Sequence, residues 1–88
     1  MIKVISFTVL DGYSLQLRFS DGAEGIVDLS YIPRQGVFES WNDPSFFREV
    51  SIDPETGTLA WPGEIDLDPY VLYSRVTGKF IEQVLELI

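Results

Sequence analysis

The chain has 88 residues with no cysteine and no histidine, and 14 acidic residues against 6 basic ones give it a net charge of −8. The missing cysteines exclude disulfides and thiolate metal sites, and the missing histidines remove the usual general base near neutral pH. The basic residues are spread along the chain and form no patch for phosphates, so we expect no direct binding to nucleic acid or to a membrane surface. With 45% hydrophobic residues the chain can bury one thin core.

No segment of the sequence predicts secretion or insertion into a membrane. The N-terminal residues alternate between apolar and polar types and contain no apolar signal core. The longest unbroken apolar run, over residues 70–73, is far shorter than the ~20 residues that a membrane-spanning helix needs. We therefore expect a cytoplasmic protein.

Three strands are predicted over residues 2–10, 13–20 and 23–29. Apolar and polar residues alternate along them with a period of two, which is the pattern of strands with one buried face. Asp-Gly pairs at 11–12 and 21–22 separate the strands and are a strong hairpin signal. The side chains expected on the buried face of the first two strands are Ile5, Phe7, Val9, Tyr13, Leu15, Leu17 and Phe19, and those expected in water are Ser14, Gln16 and Arg18.

The register of the second hairpin depends on the length of its loop. A two-residue turn at the second Asp-Gly pair would place carboxylates on the buried face, whereas a three-residue loop over 20–22 keeps them in water. The longer loop pairs Phe19 with Ala23, Leu15 with Val27, Tyr13 with Leu29 and Arg18 with Glu24. It leaves Ile26 alone among polar side chains on the outer face.

The first loop is predicted over 10–12 for the same reason, which pairs Val9 with Tyr13. Both loops then place glycine at their third position, where a type I turn with a bulge needs a left-handed residue. We therefore expect a positive φ at both Gly12 and Gly22.

The rest of the chain carries two helix-start signals. Asp43 and Asp68 are each followed by proline, the combination typical of an N-cap and the first helical position. Gly78 interrupts the second of these segments. In chain order we expect a connection over 30–40, a short helix near 44–49, strands near 50–53 and 58–62 with Leu59 and Trp61 inward, and helices near 69–76 and 79–87.

These elements predict a single α+β domain. We expect an antiparallel β-meander with short helices packed on one face, in the order three strands, one helix, two strands and two helices. Residues 1–78 form this domain. Residues 79–88 are predicted to be its C-terminal amphipathic helix, because apolar residues recur there at steps of about 3–4.

Three carboxylates, Glu64, Asp66 and Asp68, alternate along the chain and invite two interpretations. On an extended segment all three would face one side, and such oxygen ligands suit calcium or magnesium. Alternatively, Asp68 caps a helix, Asp66 lies near the positive end of that helix and Glu64 is solvated. We favour the second interpretation and expect neither a metal site nor a bound cofactor. No catalytic residue can be assigned, since no nucleophile motif is present.

Aromatic residues and the C-terminal segment supply the candidate interface. Tryptophan and tyrosine are frequent anchors at protein interfaces, but a thin core needs the same large side chains. An apolar side of the C-terminal helix has the same two uses, covering the sheet or contacting a partner. The candidate interface residues are Trp41, Tyr70, Tyr73, Phe80, Ile81, Val84, Leu85 and Ile88.

Short landmark motifs occur at defined spacings along most of the sequence. They are Phe19-Ser20-Asp21-Gly22, Asp28-Leu29, Gly36-Val37-Phe38, Asp43, Phe46-Phe47, Val50, Ile52-Asp53, Gly57-Thr58, Trp61-Pro62, Asp66-Leu67, Pro69 and Leu72-Tyr73. The order and spacing of these landmarks resemble those of the bacterial family called domain of unknown function 2442. Two positions depart from its pattern: Trp41 stands where an aliphatic residue is expected, and Asp68 stands where the family is often less acidic.

The resemblance implies a small bacterial α+β protein, often encoded beside a second small protein, an arrangement that has led to the suggestion of toxin–antitoxin pairing. It transfers no catalytic residue. We therefore predict a non-catalytic protein-binding module, the antitoxin-like member of a two-protein pair, with a protein partner or a second copy as its ligand. Two alternatives stay open: a metal-assisted enzyme using Asp66 and Asp68, and a transcription-related regulator without the DNA-binding domain that some relatives carry.

Overall fold

The computed structural model describes residues 1–79 and 82, and it contains two small antiparallel sheets and a few short helices. The elements are β1 Val4–Val9, β2 Ser14–Phe19, β3 Glu24–Asp28, a 3-10 helix Gly36–Asn42, α1 Pro44–Phe47, β4 Ser51–Ile52, β5 Leu59–Trp61, β6 Ile65–Leu67 and α2 Pro69–Thr77. The first sheet has the order β1-β2-β3 and the second the order β4-β5-β6. The α+β class is therefore confirmed, although the strands form two sheets and β6 was not predicted. The helix predicted over 79–87 lies outside the described residues except at Lys79 and Glu82.

The predicted register of the second hairpin is confirmed. Leu15 pairs with Val27, and Arg18 pairs with Glu24. Leu15 and Leu17 have no exposed surface, while Ile26 is 61% exposed on the opposite face. The alternation of apolar and polar residues therefore determines which face of this sheet is buried.

The first hairpin differs from the prediction in two ways. Val9 pairs with Leu15 rather than with Tyr13, so the loop lies one residue later than expected. A bulge between Val4 and Ser6 then shifts the alternation by one residue. As a result Ile5, which was predicted to be buried, is 53% exposed. The expected backbone conformation is nevertheless present, since Gly12 and Gly22 have φ values of +67° and +92°.

The second sheet has strands of only two or three residues, and it is attached to the first at Gly57. The backbone carbonyl of Gly57 accepts a hydrogen bond of 3.1 Å from the N–H of Val4. Gly57 also has a φ of +71°, and a Cβ at this position would overlap the Cβ and Cα of Lys3. Glycine is required here for both its backbone conformation and its size.

Helix α2 packs against β3 and is bounded as predicted. The Asp68 carboxylate accepts a hydrogen bond of 2.7 Å from the Tyr70 N–H, and Gly78 ends the helix in a left-handed conformation. The helix can pack closely on β3 because Gly25 has no side chain. A Cβ at this position would lie 2.7 Å from Cγ1 of Val76. Within the described part of the chain, no helix is long and apolar enough to cross a membrane.

Candidate functional site

Trp41, one of the predicted interface residues, lies at the centre of an aromatic cluster and has no exposed surface. Its ring centroid lies 4.8 Å from that of Trp61 and 5.0 Å from that of Phe47. The hydroxyl of Tyr13 donates a 2.7 Å hydrogen bond to the Trp41 carbonyl oxygen. Trp61 donates through Nε1 to the Phe47 carbonyl oxygen at 2.7 Å, whereas the buried Nε1 of Trp41 has no partner within the described residues. Trp41 supports the core in this structure and presents no surface to a partner.

Tyr73 is also buried, with 3% of its surface exposed. Its hydroxyl donates a 2.5 Å hydrogen bond to the carboxylate of Asp21 in the loop between β2 and β3. This hydrogen bond, with a second from the Ala23 N–H, holds the pKa of Asp21 below its usual value. The hydrogen bond to Asp21, together with burial, raises the pKa of Tyr73. Tyr73 therefore fastens α2 to the first sheet.

Six predicted interface residues remain, and the structure describes one of them. Tyr70 is half-buried and lines a pocket. Phe80, Ile81, Val84, Leu85 and Ile88 lie outside the described residues.

The three alternating carboxylates do not act alike. Asp68 is the N-cap of α2, Asp66 is exposed on β6, and Glu64 lies in the preceding turn with a positive φ of 64°. Among the described residues, no three acidic side chains are grouped so that they could hold a metal ion. The hydrogen bond from the Tyr70 N–H to the Asp68 carboxylate confirms the predicted cap.

The pocket at Tyr70 has a volume of about 290 Å³ and opens to solvent between the β4–β5 turn and the start of α2. Most of its lining is apolar. Its lining includes the buried Pro69 and Tyr70, whose hydroxyl accepts a 3.4 Å hydrogen bond from the Ile2 N–H. The lining residues are Met1, Glu55, Thr56, Thr58, Asp68, Pro69 and Tyr70. These residues come from three distant parts of the sequence, so no local pattern could have predicted the pocket.

The second feature is the free edge of β3. The Phe19 N–H donates to the Ala23 carbonyl oxygen at 2.8 Å, which shows that the odd-numbered residues of this segment face β2. Because backbone groups alternate along an antiparallel strand, those of Glu24, Ile26 and Asp28 point away from β2. No hydrogen bond from another described residue reaches them. Within the part of the chain that the structure describes, the edge therefore presents a row of unpaired N–H and C=O groups.

Side chains near this edge combine apolar and charged groups. The guanidinium of Arg75 lies over the ring of Tyr31, 3.6 Å from its centroid. The backbone N–H of Ser30, with smaller effects from the Ser30 hydroxyl and from Arg75, holds the pKa of Asp28 below its usual value. Glu24, at the other end of the strand, is 4.0 Å from Arg18. The Asp28 carboxylate is thus ionised at neutral pH.

A sequence profile of the family described as "Protein of unknown function (DUF2442)" matches residues 4–78. The chain belongs to this family. The predicted resemblance is therefore confirmed, and the match covers both sheets and all of α2. The description of the DUF2442 family names no activity, so membership supports the fold and assigns no site.

No curated protein and no solved structure matches the chain.

Proposed function

We propose that this DUF2442 protein is a non-catalytic binding module that pairs the free edge of β3 with a strand of a partner protein. The observation that supports this proposal is the row of backbone groups at Glu24, Ile26 and Asp28, which no other described residue pairs. A second polypeptide in extended conformation supplies donors and acceptors at the matching spacing. A small molecule does not.

The exposed side chain of Ile26 gives the edge an apolar centre. Ile26 is 61% exposed and faces Gln16 across the sheet. A partner strand would cover its side chain, and burying an isoleucine contributes about 1.5–3 kcal/mol. The backbone hydrogen bonds would supply affinity and the apolar contact would supply specificity.

Charge at the two ends of β3 argues against pairing with a second copy. An antiparallel pair of β3 strands centred on Ile26 would place Glu24 of one copy opposite Asp28 of the other. Like charges directly opposite each other are destabilising. The same charges protect a free edge from aggregation. A different protein is therefore the partner that this edge fits better.

The partner we expect is the other member of a two-protein pair, in which this chain takes the antitoxin-like part. That role comes from the family resemblance alone, whereas the strand-pairing mode comes from the geometry of β3. The alternative of a metal-assisted enzyme has less support, since its Asp68 carboxylate already caps α2.

Capture of partners from the protein's own cells, followed by affinity measurement with the purified pair, tests the proposal. The decisive variant is Ile26→Pro, which removes the outward N–H that a partner strand would use. Its control is Ile26→Thr, which retains the N–H and suits a strand. We expect the proline variant to bind at least tenfold more weakly than the threonine variant while melting at a similar temperature. Equal affinity of the two variants would show that the partner does not pair with β3.

A further inference from the structure

The pocket at Tyr70 has the size of a site for one side chain. Its volume of about 290 Å³ is at the lower end of the range of ~300–1,000 Å³ for pockets that hold drug-sized ligands. The lining is mostly apolar and includes Met1, Pro69 and Tyr70. A long, unbranched side chain could lay its methylene groups against these surfaces.

The two charged side chains of the lining are both acidic. Glu55 and Asp68 both line the pocket and both are exposed. Neither forms an ion pair with a described residue. Capping of α2 engages Oδ1 of Asp68, which accepts the hydrogen bond from Tyr70, and no described residue bonds to Oδ2. An aliphatic stem combined with a cationic head complements this arrangement.

Two further features of the protein favour the binding of a cation. The ring face of an aromatic residue such as Tyr70 attracts a nearby cation, most strongly where water is partly excluded. The net charge of −8 draws positively charged groups towards the surface. An acidic side chain would be repelled by both carboxylates, and a neutral one would leave them unpaired.

We infer that this pocket receives a lysine or arginine side chain of a partner protein, with the cationic group between Glu55 and Asp68 and the stem on Pro69 and Tyr70. This inference rests on the proposed protein-binding function, but it concerns a surface separate from β3. The pocket thus makes a second contact with the partner. It recognises a charged side chain, whereas the edge of β3 pairs with backbone groups.

The experiment follows backbone amide signals of the purified protein by NMR while single amino-acid probes are added. The probes are Nα-acetyl-arginine amide and Nα-acetyl-lysine amide, with the amides of acetyl-citrulline and acetyl-norleucine as neutral controls. We expect the charged probes to shift the signals of Thr56, Thr58 and Tyr70 with dissociation constants of about 1–10 mM, since one side chain supplies little binding energy. The neutral probes should bind at least fivefold more weakly.

Two variants assign the binding to the carboxylates. Glu55→Gln and Asp68→Asn should each weaken binding of the arginine probe at least threefold, and asparagine retains the cap of α2. Glu39→Gln removes a carboxylate outside the pocket and should have no effect. The Ile26→Pro variant should bind the probes normally, so that failure of strand pairing and failure of the pocket are separate results.

Three results would overturn the inference. The first is equal binding of citrulline and arginine probes, and the second is the absence of shifts at 50 mM probe (about fivefold above the expected range). The third is a titration with calcium chloride that shifts the same amide signals with a lower dissociation constant than the arginine probe. That result would make the pocket a metal site.

Discussion

The two sheets of the molecule are held together in different ways. The first has strands of five or six residues with alternating side chains, joined by short loops. The second has strands of two or three residues, too few for independent stability. It depends on the aromatic cluster around Trp41 and on the attachment at Gly57. The first sheet is thus specified locally, and the second by contacts between residues distant in sequence.

The largest effect is expected where the two sheets meet. Gly57→Ala introduces a Cβ that overlaps Lys3 at a left-handed backbone position, so we expect a loss of about 3 kcal/mol or more in the free energy of unfolding. Gly63→Ala is the matched control, because Gly63 has a φ of +85° but nothing within 4 Å of its Cβ position. It should lose about 1 kcal/mol in denaturant titrations. Similar losses for both variants would show that attachment at Gly57 contributes little.

The aromatic cluster allows a test of hydrogen bonding against ring packing, because replacing either tryptophan by phenylalanine removes the same volume. Trp61→Phe leaves the buried Phe47 carbonyl oxygen without its donor, whereas Trp41→Phe removes an N–H that has no partner among the described residues. We expect Trp61→Phe to cost about 1–2 kcal/mol more than Trp41→Phe. Thermal and denaturant unfolding measure this difference. A larger loss for Trp41→Phe would mean that ring packing outweighs hydrogen bonding in holding the second sheet.

The first sheet has its own long-range contact, from Tyr73 to Asp21. Tyr73→Phe should destabilise the protein at pH 7 by up to about 1 kcal/mol, since the Asp21 carboxylate stays open to water. The folded pKa of Asp21 is below its ordinary value of 3.8, so this contribution is present above pH 3.8 and is lost as the pH falls through the folded pKa.

Unfolding is measured between pH 7 and pH 2.5 for the unchanged protein and for Tyr73→Phe. Their free energies of unfolding should therefore converge at low pH. Tyr31→Phe is the control, since no described residue bonds to the hydroxyl of Tyr31, and its effect should not vary with pH. A Tyr73→Phe loss that is the same at pH 7 and pH 2.5 would contradict the link to Asp21.

The smallest effect concerns the turn within the second sheet. Glu64 has a φ of 64°, a conformation that costs a residue with a side chain about 1–2 kcal/mol and suits asparagine better. Glu64→Asn should raise the free energy of unfolding by about 0.5 kcal/mol. Asp66→Asn makes the same change of charge at ordinary strand backbone. If it stabilises as much, the gain is electrostatic.

The sequence predicted the first sheet more completely than the second. The alternation around Leu15 and Val27 determined the register of β2 and β3, and the aspartate–proline pairs marked both helix starts. The bulge that exposes Ile5 was missed, because it interrupts the period of two on which the prediction rests. Strand β6 was missed because Ile65–Leu67 is too short to show a period.

The candidate site was predictable only in part. Ile26 could be placed on the outer face from the register alone. Trp41 and Tyr73 were ambiguous between core and interface, since a large aromatic residue serves both purposes and only packing decides. The Tyr70 pocket brings Met1, Glu55 and Asp68 together through tertiary contacts, which one sequence does not reveal.

Both tryptophans of the chain, Trp41 and Trp61, belong to the one aromatic cluster, with ring centroids 4.8 Å apart. Their fluorescence therefore reports on the packing of this cluster, to which the second sheet contributes Trp61. A blue-shifted emission should survive the docking of a strand on β3, because no residue of β3 is part of the cluster. Loss of the second sheet should instead move the emission to longer wavelengths. One spectrum can thus separate a binding event from the loosening of the fold.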